Sequence, residues 1–228
     1  MSNPPNDLLP DDDFYAAFNP KFEALQELSN IGVGHAATAL SQLLNRKVDM
    51  SIPRVNFVPI EQAPTILATH EEEITVGVFV RTLEESGSQL NLLMIIDEES
   101  THTLLGILRR NEDTTNLLDL DEISRSILKE TGNILLLHTI TAINSFTESH
   151  WFPNSPDIVI DMIGSMADEV LLNGHEDDEG EIKVLLVECD VFTDDGKKVK
   201  GNILLLPNKV AMDTLMNRLY GENWQEMM

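Results

Sequence analysis

The sequence predicts an α/β protein with pseudo-twofold symmetry, in which a central sheet carries two long helices side by side on one face. A Glu-x-x-Asn pair with a proline 23 residues after the asparagine occurs twice, at an offset of 103 residues. The two copies are Glu27, Asn30 and Pro53, and Glu130, Asn133 and Pro156. A pattern repeated in register over this distance indicates a duplicated fold unit and two copies of one polar site.

The apolar periodicity around each motif supports the same conclusion, because residues three and four apart share one face of a helix. On the opposite side, Glu23 and Ser126 lie one turn before the motif glutamates. Each copy is therefore predicted to be an amphipathic helix whose polar triplet faces away from the core. The small or apolar positions are Leu25, Leu28, Gly32, Ala36, Ala39 and Leu43, then Leu128, Thr131, Leu135, Thr139, Ala142 and Phe146.

The remaining elements follow in the same order in both halves. An Asn19-Pro20 helix start opens the first half, and a capping-box pattern of Asp119 and Glu122 opens the second long helix. In the first half we predict a helix to about Asn45, a strand at 48–58, a hairpin of 74–81 and 90–96, and a helix at 98–110. In the second half we predict a strand at 157–163, a hairpin of 182–192 and 199–206, and a helix at 208–220.

The domain organisation follows from this order. Residues 1–15 contain three prolines and an aspartate run, which is typical of a flexible acidic tail. Residues 16–228 are then expected to form a single domain of two halves, about 16–115 and 116–228. The strand edges of the halves are expected to join into one sheet.

The composition argues against several classes of function. The chain has 39 acidic and 15 basic residues and a net charge of −24, which opposes binding to nucleic acid or an anionic membrane. Its one cysteine, Cys189, allows no intramolecular disulfide, and no signal peptide or apolar run of transmembrane length is present. These features predict a cytoplasmic protein. The six histidines show no convincing ligand spacing, so no metal role is expected of them.

A glutamate and an asparagine on one exposed helix face cannot form a nucleophilic triad. Unperturbed glutamate is ionised at neutral pH and only accepts hydrogen bonds, whereas asparagine both donates and accepts but does not titrate. Such a pair can hold a water molecule or dock against a partner. Orienting a water is sufficient to hydrolyse a reactive phosphoryl group, because phosphoryl transfer depends largely on positioning and electrostatics.

The sequence around both motifs resembles the CheC family of chemotaxis phosphatases over roughly residues 20 to 220. The segment Glu27-Leu-Ser-Asn30-Ile-Gly-Val-Gly-His, with Pro53, is similar to the first family signature. The segment Ser126-Ile-Leu-Lys-Glu130-Thr-Gly-Asn133-Ile-Leu, with Pro156, is similar to the second. The family pattern opens with Asp or Ser, so Ser126 fits it, whereas Glu23 departs from it.

The resemblance implies a CheC-like fold and hydrolysis of the aspartyl-phosphate of a CheY-type response regulator. Asn30 and Asn133 would each enter the regulator's active site and orient the attacking water. Glu27 and Glu130 would each pair with a lysine of the regulator, which would also supply the Mg²⁺. A CheD-type deamidase is a further implied partner. The lack of a flagellar-switch domain after residue 220 points away from the longer rotor-associated relatives.

A second hypothesis belongs to a different class: a phosphorylation-dependent docking or regulatory module of the same fold with little turnover. The intact pair of Asn30 and Asn133 favours the enzyme. An isolated Glu-x-x-Asn would usually be a solvated helix face, and it is the duplication in register with Pro53 and Pro156 that favours a functional site. The two prolines themselves are expected to shape the chain beside the site.

Overall fold

The computed structural model describes residues 34–51, 54–59, 62–67, 72–84, 87–109, 115–166, 183–193 and 196–222. The second copy of the motif, with Ser126, Glu130, Asn133 and Pro156, lies within these ranges. The predicted tail at 1–15 and the first copy, with Glu23, Glu27, Asn30 and Pro53, lie outside the described residues.

The helices agree closely with the sequence pattern. They are α1 (residues 34–44), α2 (Ala63–Leu67), α3 (Glu98–Arg109), α4 (Glu122–Thr147) and α5 (Lys209–Tyr220). A 3₁₀ turn at Leu117–Asp119 precedes α4, and a short helical turn occupies residues 163–166. The helices predicted at 98–110 and 208–220 are thereby confirmed, and α4 is the predicted second long helix.

In the described part of the chain, seven strands form one central sheet and two short strands form a separate ribbon. They are β1 (Val48–Met50), β2 (Arg54–Pro59), β3 (Ile74–Val80), β4 (Thr82–Leu83), β5 (Leu90–Ile96), β6 (Phe152–Pro153), β7 (Asp157–Met162), β8 (Lys183–Thr193) and β9 (Lys198–Pro207). Both predicted hairpins, β3–β5 and β8–β9, are present. Gly87 and Gly196 in their loops have a φ of 80°, which glycine tolerates without steric cost.

The central sheet is antiparallel and has the order β1-β8-β9-β5-β3-β7. The strand predicted at 48–58 is divided, because β1 pairs with the end of β8 at Thr193 while β2 pairs with its beginning, from Glu188 to Lys183. Equivalent strands of the two halves occupy symmetric places in this order. The edge formed by β1 and β2 corresponds to the edge strand β7, β8 corresponds to β3, and β9 corresponds to β5. The strands of both halves therefore lie in one sheet, as the sequence predicts.

The larger hydrophobic core lies on the face of the sheet that carries α1, α3, α4 and α5. Residues of all four helices pack there against β3, β5, β8 and β9. A smaller core on the other face includes Ile163, with Ile66 and Leu67 of α2 packed against it. One predicted core position is wrong: Leu43 is 37% exposed, and Leu40 and Leu44 of the same helix are buried instead.

Candidate functional site

The second motif lies on the outward face of α4. The side chains of Ser126 and Glu130 are exposed, and Asn133 is half-buried. The helix turns about 100° per residue, so these three positions share one face. The opposite stripe is buried as predicted, with Leu128, Thr131, Leu135 and Ala142 in the core. The polar triplet therefore projects away from the sheet.

Gly132, inside the motif, brings α4 very close to the sheet. A Cβ atom added at this residue would lie 2.7 Å from Cβ of Val78 on β3 and 2.7 Å from Cε of Met94 on β5. Real Cβ atoms do not approach other atoms this closely, so only glycine fits the contact. This contact fixes the distance between α4 and the sheet, and the rotation of α4 about its axis, at Glu130 and Asn133.

Pro156 is connected to the motif through the same contact. The half-buried proline directly precedes β7, in which Ile158 pairs with Val78 of β3. Val78 in turn contacts the position of Gly132. Helix α4 also packs over β7 itself. Pro156 therefore introduces the strand that supports the motif helix.

The beginning of α4 is held by a small polar network. The carboxylate of Asp121, the N-cap residue, accepts a hydrogen bond of 2.7 Å from the backbone N–H of Ser124. Arg109 of α3 donates to the same carboxylate at 3.1 Å and to the Ser124 hydroxyl at 2.7 Å. The hydrogen bonds from Ser124, followed by the charge of Arg109, hold the pKa of Asp121 below its usual range.

The sequence-based prediction of Asp119 as the capping residue is wrong. Leu117–Asp119 forms a 3₁₀ turn, and the backbone N–H of Asp119 donates to Asn116 O within that turn. The helix begins only at Glu122, so the residue directly before it, Asp121, takes the cap.

Helices α1 and α4 meet on the same face of the sheet. The rings of His35 on α1 and His138 on α4 meet edge to face, with 6.0 Å between their centroids. These histidines occupy equivalent places, because they are 103 residues apart and each follows its motif asparagine by five residues. The pKa of His138 is lowered below its ordinary value, mainly because the imidazole is partly buried and to a smaller extent because His35 is nearby.

Several residues that shape the site were not found from the sequence. Gly132 could have been recognised, since it follows Leu128 by four positions and precedes Leu135 by three, on the buried stripe. The two histidines could have been recognised from their common offset. The contact of Arg109 with the start of α4 joins residues distant in sequence, and no local pattern indicates it.

The described part of the site offers hydrogen-bonding groups and a carboxylate. Among the residues that the structure describes, no three His, Cys, Asp or Glu side chains lie close enough together to hold a metal ion. Within the same ranges no helix combines the length and the apolar character needed to span a membrane. What α4 presents is an amide and a carboxylate on a rigid, outward-facing helix.

Comparison with known proteins agrees with the fold and the motif. Residues 23–57 match the model of the CheC-like family. The chain is 28% identical over 198 residues to the CheY-P phosphatase CheC of Bacillus subtilis, covering 86% of this chain and 91% of that protein. This alignment extends the similarity well beyond the first motif.

The fold is similar to that of two flagellar proteins. The structure of Thermotoga maritima FliY has a TM-score of 0.66 at 18% identity, covering 90% of this chain and 98% of that one. The FliM middle domain from H. pylori has a TM-score of 0.61 at 7% identity, covering 88% and 98%. The chain is therefore similar to the CheC-like family in sequence and shares its fold with these two structures. The resemblance to the CheC-like family that the motifs indicate is thereby confirmed.

Proposed function

We propose that this protein is a phosphatase that hydrolyses the aspartyl-phosphate of a CheY-type response regulator in chemotaxis signalling. The observation that carries the proposal is the placement of Glu130 and Asn133 on the outward face of α4, which Gly132 fixes against the sheet. Similarity over most of the chain to a CheY-P phosphatase supports the same substrate class.

In the proposed reaction, the Asn133 carboxamide enters the regulator's active site and holds a water molecule in line with the phosphorus atom. The water oxygen attacks phosphorus, the bond from phosphorus to the aspartyl oxygen breaks, and the regulator's carboxylate and inorganic phosphate are released. Asparagine neither gains nor loses a proton in this role. Its contribution is orientation, which is effective because the acyl phosphate is already reactive.

Glu130 has a docking role in this proposal. The carboxylate is exposed, and the chain around it is strongly acidic overall, with a net charge of −24. A lysine of the regulator beside its phosphorylation site would pair with Glu130 and hold the two active surfaces in register. The Mg²⁺ of the reaction belongs to the regulator, so this chain needs no cofactor of its own.

The duplication extends the proposal to the first motif. Glu27 and Asn30 stand at the same spacing as Glu130 and Asn133, and residues 23–57 match the CheC-like family model. We assign them the same two roles, which makes this a two-site enzyme of two halves. A cytoplasmic location and a CheD-type deamidase as a further partner belong to the same proposal.

The central test is removal of both asparagines. Asn30→Ala with Asn133→Ala should abolish the accelerated decay of phosphorylated Bacillus subtilis CheY, because nothing then orients the attacking water. Asn217→Ala serves as the matched control, since Asn217 is an exposed helical asparagine on α5 away from the motif. Undiminished decay in the double variant, with an unchanged circular dichroism spectrum, would contradict the assignment.

A docking module with little turnover is the second candidate. The fold does not by itself decide between the two candidates, because the FliM middle domain shares it at only 7% identity. This module would bind the phosphorylated regulator without accelerating loss of its phosphate. Measuring binding and phosphate decay on the same samples therefore separates the two candidates.

A further inference from the structure

We infer that two exposed apolar residues beside the second motif, Leu118 and Ile123, form a docking subsite for the response regulator. Leu118 is 55% exposed on the 3₁₀ turn, and Ile123 is 63% exposed in the first turn of α4. The inference rests on the proposed function and assigns it a second contact surface. We call these two residues the apolar subsite.

Ile123 lies on the same stripe of α4 as the motif. It precedes Ser126 by three residues, Glu130 by seven and Asn133 by ten, which are the spacings of one helix face. With a rise of about 1.5 Å per residue, Ile123 lies about 10 Å from Glu130 and about 15 Å from Asn133 along the axis. The motif and Ile123 therefore face the same direction, and Leu118 precedes Ile123 by five residues on the adjoining turn.

A partner seated over the motif would cover this distance. A stable protein interface buries about 800 Å² on each side, which corresponds to a patch with a radius of about 16 Å. A regulator that places its phosphorylated aspartate at Asn133 therefore reaches Ile123 within an interface of ordinary size. Removing exposed apolar side chains from water inside such an area adds to the binding free energy, by about 25 cal/mol for each Å² buried.

The apolar subsite is held rigidly by its surroundings. Leu117 and Leu120, on either side of Leu118, are buried and fix the turn to the core. The Arg125 guanidinium donates to Leu120 O at 3.0 Å and to Leu118 O at 3.3 Å, which joins the turn to α4. The Asn116 side chain accepts from the backbone N–H of Leu118 at 2.9 Å. The backbone of Leu118 is thus held in place on the surface, which lowers the entropy lost on binding.

The charge around the subsite defines the chemistry of the partner. Asp119 and Glu122 are exposed beside the two apolar residues, and Glu130 is exposed further along the helix. The fitting partner surface therefore has an apolar side chain surrounded by lysine or arginine, next to the phosphorylation site. A CheY-type regulator with this surface is the occupant that we assign.

In the test, the first copy is inactivated by Glu27→Lys together with Asn30→Ala, so that only the second copy is measured. We call this double variant the background. Leu118→Ser with Ile123→Ser in that background should raise the half-saturating concentration of phosphorylated Bacillus subtilis CheY about tenfold, with the maximal decay rate unchanged. The matched control is Val210→Ser. Val210 is also an exposed aliphatic residue at the second position of a helix, but it lies on α5. Binding of CheY carrying a beryllium fluoride group in place of the phosphate is measured in parallel.

The outcomes separate this inference from the proposed function. In one outcome, the background accelerates decay while Leu118→Ser with Ile123→Ser leaves the half-saturating concentration of CheY unchanged. That result overturns the apolar subsite and leaves the phosphatase proposal standing. If the background binds CheY without accelerating decay and the serine pair weakens binding, turnover at the second copy is overturned while docking stands. Absence of both binding and acceleration overturns both.

Discussion

At the scale of single residues, Gly132 determines how the motif is presented. The space that a side chain would need at this position is filled by Val78 and Met94. The methionine end can move, but a β-branched valine in a buried strand cannot. The motif side chains Glu130 and Asn133, on the opposite face of the helix, therefore point outward along directions that the sheet fixes.

Replacing this glycine should destabilise the fold. In Gly132→Ala the overpacking penalty is at the upper end of the usual range, about 3 kcal/mol, and exceeds the roughly 1 kcal/mol that alanine gains over glycine in a helix. We expect the free energy of unfolding to fall by about 2 kcal/mol in urea denaturation. A gain in stability would show that α4 does not press on the sheet at this residue.

Gly34→Ala provides the matched control for that experiment. Gly34 is also helical, but among the described residues no atom outside its own helical turn lies within 4 Å of the position of its added Cβ. The helix propensity of alanine should therefore act alone, raising the free energy of unfolding by up to about 1 kcal/mol. Opposite signs for two identical substitutions in the two motif helices would establish that Gly132 has a packing role.

His138 should make stability depend on pH in a defined window. Its pKa in the folded protein is lowered by partial burial and by His35, so the unfolded chain binds a proton more readily. Its contribution to stability is therefore complete above about pH 6.5, the usual value, and is lost as the pH falls below it. Urea denaturation at pH 5.5 and 7.5 should show a larger loss on acidification for the native protein than for His138→Gln. Equal losses would contradict the lowered pKa.

At the scale of elements, the start of α4 depends on Asp121. Its carboxylate caps the backbone N–H of Ser124 and also binds Arg109 of α3. Asp121→Ala should destabilise the helix start, whereas Asp121→Asn keeps a capping oxygen and should cost less. Hydrogen exchange of the amides in the first turn of α4 measures the difference. If both variants exchange at the native rate, the cap does not hold this turn.

The sequence predicts the elements well where the pattern is local. The hairpin around Gly196 is confirmed, since its two apolar runs and turn residues lie next to each other in the chain. Predictions that depend on partners distant in the chain are less accurate. The division of 48–58 into β1 and β2 reflects pairing with two segments of β8, which starts more than 120 residues later. The exposure of Leu43 depends on the rotation of α1 against the sheet.

In the candidate site too, the local spacing of residues predicts which way side chains face, whereas contacts between residues distant in the chain are not predicted. The spacing of Glu130 and Asn133 was sufficient to place both on the outward face of α4. The contact of Gly132 with Val78 and Met94 depends on how the helix crosses two strands, which no local pattern specifies. The predicted first copy, Glu27 and Asn30, lies outside the described residues, so its geometry stays a prediction.

At the scale of the whole molecule, the order of the sheet agrees with a duplicated chain. Each half contributes an inner strand, β5 or β9, and these two strands pair with each other at the centre. Helices α1 and α4 meet through His35 and His138, at equivalent positions. A duplicated chain arranged in this way would supply two copies of one surface, and we expect their activities to differ where their sequences differ.

The leading position of each motif is where the copies differ. The second helix has Ser126, as in the family pattern, whereas the first has Glu23 four residues before Glu27. Two carboxylates at this spacing repel each other on one helix face, although the positive end of the helix dipole offsets part of that repulsion in a first turn. The penalty is therefore small, and we expect both sites to work, with the second supplying at least half of the activity. The single variants Asn30→Ala and Asn133→Ala, assayed separately on phosphorylated CheY, measure the fraction of the phosphatase activity that each site supplies. If Asn133→Ala keeps nearly all activity and Asn30→Ala loses it, the asymmetry runs the other way and the leading residue does not determine it.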